Sequence, residues 1–330
     1  MKRSTMITLA TAVVAQMACE NGGATRTLGV TATGTVLGRV YFDADGSRTF
    51  DAADAGFEGA RIRLLAPGGT DTLFRATTDA EGDFRLSSVP VGTYAVLVDS
   101  ASAGDSARVI TDGAAPVTLT VLPGDSAEFE GSISYPLRTI AEARALAPGQ
   151  RLFVRGIALH SRTTFSDTTL HIVDATGAMR ATRVRPSAVA AGDSVILRAR
   201  TAIRLGQRVL DDVTAFVLAP TFIPTAPTVT SAVAASGGVA GALDAAFVRV
   251  LNAQVIDTAT IGGNFQMTVN DASGPVVVIL DRAADVGFLP PLPPTLYAPT
   301  NRFDIVGILM PTGTGTWRLK PRSVLDLTQR

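Results

Sequence analysis

The 330-residue sequence contains one cysteine, two histidines, two lysines and one tryptophan. A single thiol excludes an internal disulfide framework and a thiolate cage for a metal. Two histidines leave little material for imidazole catalysis or a His-rich metal centre. The chain holds no Gly-x-Ser-x-Gly, no Gly-x4-Gly-Lys phosphate loop and no His-Glu-x-x-His, so the commonest hydrolase, nucleotide and zinc-protease signatures are missing. Excess charge of either sign is missing too, since 29 basic residues meet 29 acidic ones. The 31 glycines follow no three-residue period, which excludes collagen. An apolar share of 46% with 18% charged residues excludes a wholly disordered chain. No stretch reaches 18 consecutive apolar residues, the length expected of a membrane-spanning helix.

What is present begins with a leader. Lys2 and Arg3 precede a short apolar run from Met6 to Ala18, the pattern of a secretory signal rather than a span. Cys19 follows Ala18 directly. That placement resembles a bacterial lipoprotein signal, in which the cysteine becomes the lipidated first residue of the mature protein. The resemblance implies a signal peptide over 1–18, a lipid anchor on Cys19 as the membrane partner, and display at the outer membrane or cell surface. The alternative is a secretory peptide cut after Ala15, which leaves Cys19 unmodified and the protein secreted. Residues 19–36, rich in Gly and Thr, read as a flexible tether.

Beyond the tether, short runs of Val, Ile, Leu, Thr and Phe alternate with polar residues between Gly, Asp and Pro clusters. Ala60–Leu65, Tyr94–Val98, Val117–Val121, Val195–Ala199 and Val276–Leu280 are predicted strands. One helix is predicted, from the capping-box spacing Thr139-Ile140-Ala141-Glu142 to the stop at Pro148-Gly149. Charge sorts by segment: residues 38–136 hold 7 Arg against 15 acids, and residues 137–220 hold 12 Arg against 6. Neutrality therefore conceals an acidic domain beside a basic one. The last two segments also echo each other. Leu170–Gly177 and Phe265–Gly274 each run a strand into Asp-Ala-Thr/Ser-Gly, a tight turn that Asp and Gly favour. The copies are offset by nearly a hundred residues, which indicates a duplicated domain rather than a short solenoid repeat.

Two resemblances sharpen this outline. Gly38-Arg39-Val40-Tyr41-Phe42-Asp43-Ala44-Asp45-Gly46-Ser47, then Thr78–Phe84 and Val89-Pro90-Val91-Gly92-Thr93-Tyr94, resemble the calcium-binding B-type repeats of serine-aspartate repeat adhesins, within the prealbumin-like β-sandwiches. Residues 137–220 and 229–328, each with a strand running into the Asp-Ala turn, are similar to bacterial extracellular OB-fold domains. The fold class expected is all-β: an N-terminal prealbumin/Ig-like sandwich over 37–134, then two tandem OB-like barrels.

The candidate sites follow. Oxygen-bearing side chains recur at Asp43, Asp45, Ser47, Asp51 and Asp54, with the Thr49 carbonyl between them. Such spacing wraps hard oxygen ligands around one structural Ca²⁺; a solvated acidic loop is the alternative. On the basic barrel, Arg198 and Arg200 share one parity of a strand, and Arg183 and Arg185 share one parity of another stretch. Phe165 stands in the polar loop Thr163–Asp167, a place for a ring that stacks on a base. His160 and His171 are placed to face each other across a hairpin as satisfied or exposed side chains. Trp317 and Leu319 read as core, with Arg318 and Lys320 on the opposite side. Pro290–Pro294 reads as a stiff loop or docking strip. The functional expectation is a non-enzymatic cell-envelope module that binds an envelope protein or polymer. The alternative is a nucleic-acid-binding accessory of extracellular nuclease or DNA-uptake machinery.

Overall fold

The computed structural model describes residues 32–104, 108–284 and 297–330. The expected signal peptide, Cys19, most of the expected tether and Pro290–Pro294 lie outside the described residues. The architecture is all-β, a two-sheet sandwich followed by two closed barrels.

The sandwich contains β1 (Thr33–Phe42), β2 (Ala55–Gly56), β3 (Arg61–Leu65), β4 (Thr72–Thr77), β5 (Asp83–Pro90), β6 (Gly92–Val98), β7 (Val109–Asp112), β8 (Val117–Val121) and β9 (Ser126–Ser134). One sheet runs β2-β1-β9-β7 with β5 also on β1; the other runs β4-β3-β6-β8. Alternation drives the packing, because every second residue of a strand faces the same side. Tyr94, Val96 and Val98 of β6 therefore join Ile62 and Leu64 in one core. The Tyr94 hydroxyl donates to the Pro90 carbonyl at 2.7 Å, which ties down the Pro-x-Gly-x-Tyr turn. β1 begins at Thr33, so the last residues assigned to the tether are strand instead. Fully buried Val36 anchors them.

The first barrel follows a short joint. It comprises β10 (Leu137–Arg138), α1 (Ile140–Ala145), β11 (Arg151–Ala158), β12 (Leu170–Asp174), β13 (Gly177–Ala181), β14 (Asp193–Arg204) and β15 (Gln207–Pro220). The second comprises α2 (Ser231–Ser236), β16 (Phe247–Ile261), β17 (Asn264–Asn270), β18 (Pro275–Leu280), β19 (Arg302–Pro311), β20 (Trp317–Lys320) and β21 (Leu327–Gln329). Five strands close each ring: β11-β12-β13-β15-β14 through β14 on β11, and β16-β17-β18-β20-β19 through β19 on β16. In both, the third and fifth strands pair in parallel. Closure leaves the five-stranded rings no free edge.

The duplication extends to a detail of helix capping. Thr139 caps α1 with its predicted box to Glu142. The turn carboxylate Asp174 also accepts the Ile140 amide at 2.9 Å and Thr176 accepts the Ala141 amide at 3.0 Å. In the second copy Asp271 accepts the Ser231 amide at 3.0 Å and Ser273 accepts the Ala232 amide at 3.1 Å. Each Asp-Ala-Thr/Ser-Gly turn thus seals the helix that plugs its own barrel. α2 was absent from the sequence expectation, since Val233 stands where a capping box needs Glu or Gln. α2 ends at Gly237, whose left-handed φ of 67° brings its backbone against the Trp317 ring; a Cβ there would lie 2.3 Å from the indole. Trp317 is core, as expected, and its Nε1–H donates to Asp244 at 2.9 Å.

His160 and His171 do meet, but inside the protein. His160 Nδ1 lies 2.7 Å from the Ser161 carbonyl, so Nδ1–H donates and Nε2 is left to accept. His171 Nδ1–H then donates to it at 2.8 Å. His171 Nε2 remains buried without a partner. Burial pushes His160 down to about 4 and His171 well below the usual imidazole range, where the neighbouring His160 adds to the effect.

Two predictions follow from these contacts. Asp174→Ala removes the cap and the turn bonds together, and is expected to cost about 1–2 kcal/mol in urea denaturation; an unchanged midpoint would refute the capping role. The unfolded chain protonates imidazole near 6.5, whereas folded His160 resists protonation until about 4. Folding stability therefore falls as pH drops across that window, by on the order of 3 kcal/mol for that ring. Proton NMR should show neither imidazole titrating between pH 7 and pH 5; a resonance with a midpoint near 6.5 contradicts the pair.

Candidate functional site

The acidic loop between β1 and β2 folds around its own carboxylates. Asp43 is buried and accepts the Gly46 and Arg48 amides at 2.7 and 3.3 Å. Asp54 accepts the Ala44 and Asp51 amides at 2.8 and 3.1 Å, and Asp45 accepts the Ser47 amide at 2.8 Å. One oxygen each from Asp43, Asp45 and Asp54 falls within 4.8 Å of the others. Burial pushes the Asp43 carboxyl up, and Asp54 and Asp45 add to the rise against the amide bonds. Three carboxylates so close repel one another, and a divalent cation between them relieves that cost. Of the six expected ligands, the other three are turned to local bonds. Asp51 accepts the Ala53 amide at 2.7 Å, and the Ser47 hydroxyl donates to the Thr49 carbonyl at 3.0 Å.

This loop lies against the first barrel. Phe42 packs with Tyr135, Phe153, Ile196 and Phe216 in one apolar cluster. Phe42 meets Tyr135 edge-on at 5.6 Å, and Arg198 donates to the Ala44 carbonyl at 2.9 Å. The acidic and basic domains are therefore docked, and Arg198 belongs to the joint. Arg183 is also engaged, gripping Asp211 with two bonds of 2.7 and 2.5 Å. With Arg204 it holds that carboxyl at about 2, against the opposing pull of burial. Arg185 lies 3.6 Å from Asp212. Arg200 makes no ion pair among the described residues and lines the cavity at this joint.

Phe165 requires a correction. Its polar neighbours predict an exposed ring, yet it is 1% exposed. It packs with Leu159 of its own barrel and Ile308 of the second, with Phe247 and Met310 alongside. Neither face is free to stack on a base. Lys320 is corrected with it: the side that points out of its own barrel points into the neighbouring one. Its ammonium lies 4.1 Å from the Phe165 ring centre, 2.8 Å from Asp281 and 3.4 Å from Asp167. Asp281 also accepts the Ser166 amide and hydroxyl at 3.1 and 2.9 Å. Arg322 donates to the Leu159 carbonyl at 3.0 Å and Arg144 to the Asp244 carbonyl at 3.0 Å. The barrels thus share one sealed seam. Sequence reasoning missed it because the partners that meet across it lie a hundred residues or more apart.

Comparison with known proteins reaches part of the chain. Residues 48–124 match the carboxypeptidase regulatory-like domain family, which agrees with the prealbumin-like sandwich at the level of fold. No curated protein matches the sequence. Among solved structures, the minor pilin GBS52 of Streptococcus agalactiae is 14% identical over 32% of this chain and 45% of its own, with a TM-score of 0.25. This chain thus spans less than half of that pilin. A putative carbohydrate-binding protein from Pseudomonas aeruginosa is 14% identical over 31% of this chain and 89% of its own, with a TM-score of 0.20. A DUF3823 family protein from Parabacteroides merdae is 10% identical over 91% of this chain and 98% of its own, with a TM-score of 0.22. Each likeness is loose, and none identifies a ligand; what is established is an all-β chain with an N-terminal prealbumin-like sandwich, within which residues 48–124 match that family.

Proposed function

We propose that this chain is an exported, non-enzymatic module of the bacterial cell envelope, a three-domain scaffold that binds an envelope protein or polymer. The observation that carries the reading is the pair of packed joints. Phe42, Tyr135 and Ile196 fasten the sandwich to the first barrel, and Phe165, Leu159 and Ile308 fasten the first barrel to the second. Domains meant only to be tethered need no such seams; domains that present a surface at fixed spacing do. The ring order 1-2-3-5-4 with a parallel 3–5 pair supports an OB-type reading of both barrels. The nucleic-acid role loses its stacking ring with Phe165 buried.

In this reading Ca²⁺ sits among Asp43, Asp45 and Asp54, where it neutralises the cluster and stiffens the loop that meets the first barrel. Lipid on Cys19 holds the protein at the membrane, and an unmodified Cys19 releases it as a secreted protein.

Calcium should raise the melting temperature, with about 2.7 kcal/mol of stabilisation at a hundredfold excess over Kd. Asp43→Asn with Asp45→Asn should abolish that response, read as the difference between the Ca²⁺ and EDTA transitions of the same variant. Identical transitions in EDTA and excess Ca²⁺ would remove the site. For the anchor, cell fractionation should move Cys19→Ala from the membrane to the soluble exported fraction. Retention of wild-type protein in the cytosol would sink the export reading.

A further inference from the structure

At the joint between the sandwich and the first barrel lies a concavity of about 270 Å³. Arg151, Arg185, Arg198 and Arg200 all line it. The β11–β14 register sets Arg151 directly opposite Arg200. Like charges directly opposite on paired strands repel and destabilise the sheet. Arg198 stands two residues from Arg200 on the same outward face, since Leu197 and Ala199 belong to the barrel core. Against these four cations the cavity offers one carboxylate, Asp212. A register shift in the β14–β15 pairing sets Arg198 opposite Thr214 and Arg200 opposite Asp211, which leaves Asp212 and Val213 facing Ala199 alone. Bulges of this kind re-aim side chains, and Asp212, in the left-handed region at φ 54°, reaches Arg185.

Two of the guanidinium groups are already oriented. Arg151 donates to the Tyr135 hydroxyl at 3.1 Å, and Arg198 to the Ala44 carbonyl at 2.9 Å. Each bond is made by one nitrogen, so the remaining N–H groups stay available to a ligand. Phe42 and Tyr135 supply an apolar wall. The volume falls just under the roughly 300 Å³ where small-molecule pockets begin. Guanidinium forks match the paired oxygens of phosphate and sulfate.

We propose that this pocket binds a tetrahedral oxyanion, a phosphate or sulfate group, either free or as a monoester on a sugar-sized unit. The inference rests on reading the chain as a binding module and gives that module its ligand chemistry. The bound dianion neutralises the repulsion between Arg151 and Arg200, so part of the binding energy is repulsion already stored in the sheet.

The test is isothermal titration of the whole soluble chain with inorganic phosphate, sulfate, glucose 6-phosphate and short oligothymidylate. Saturable binding of phosphate, sulfate or the sugar monoester, weakened by added NaCl, is the expected result. Arg200→Gln should reduce affinity by about tenfold to a hundredfold. It should also leave the ligand-free melting temperature equal or higher, because it relieves the cross-strand repulsion; a merely structural arginine would lower it. Arg155→Gln, on β11 with Arg151 but outside the cavity, should leave affinity unchanged. Tighter binding of glucose 6-phosphate than of inorganic phosphate assigns the ester source, and the reverse order assigns the free ion. No saturable binding by any of the three, binding indifferent to Arg200→Gln, or binding of oligothymidylate alone overturns the proposal. Export is read separately by fractionation, so failure here is distinguishable from failure of the scaffold reading.

Discussion

The contact between the acidic loop and the first barrel sets the geometry on which the rest of the molecule depends. Charge explains why the two domains attract, but Coulomb attraction between exposed groups is weak and screened by salt. The rings of Phe42, Tyr135 and Phe153 turn that attraction into a position. Arg198 then spends a nitrogen on the Ala44 carbonyl, one residue from the buried Asp43. The loop proposed to hold a cation and the cavity proposed to hold an anion are therefore neighbours. Opposite charges handled on either side of one joint stabilise the same relative placement of the domains.

The second seam works differently. Lys320 is 6% exposed, and burying an ammonium costs several kcal/mol unless partners replace its water. Asp281, Asp167 and the face of Phe165 are those partners. A buried ion pair adds little net stability over an apolar substitute, yet it penalises every arrangement in which one partner is missing. The seam therefore selects one angle between the barrels.

Local rules made much of this legible in the sequence. Alternation located the strands, the box at Thr139 located α1, and the repeated Asp-Ala-Thr/Ser-Gly turn disclosed the duplication. Failures came wherever the deciding partner was distant in the chain. α2 lacks a glutamate box, and its extra cap comes from Asp271, 40 residues away. Phe165 sits among hydroxyls that read as surface, while the wall that buries it belongs to the other barrel. Parity correctly sent Lys320 outward from its own sheet and was silent on what lay outside. The acidic loop is a mixed case. Spacing singled out its six residues, but only the fold brings oxygens of Asp43, Asp45 and Asp54 within 4.8 Å of one another.

Phe165 carries one more consequence. A duplicated domain ordinarily begins as two interchangeable copies, each able to travel between genes alone. Here the earlier copy has pushed a ring into the flank of the later one, and the later copy answers with a cation that rests on that ring and shares a second carboxylate, Asp167, with this neighbour. Recombination that separates them would leave an oily scar on each fragment, Phe165 on one and Ile308 with Phe247 on the other. The two barrels therefore behave as one structural unit, which a rearrangement of this architecture keeps intact only by moving them as a pair.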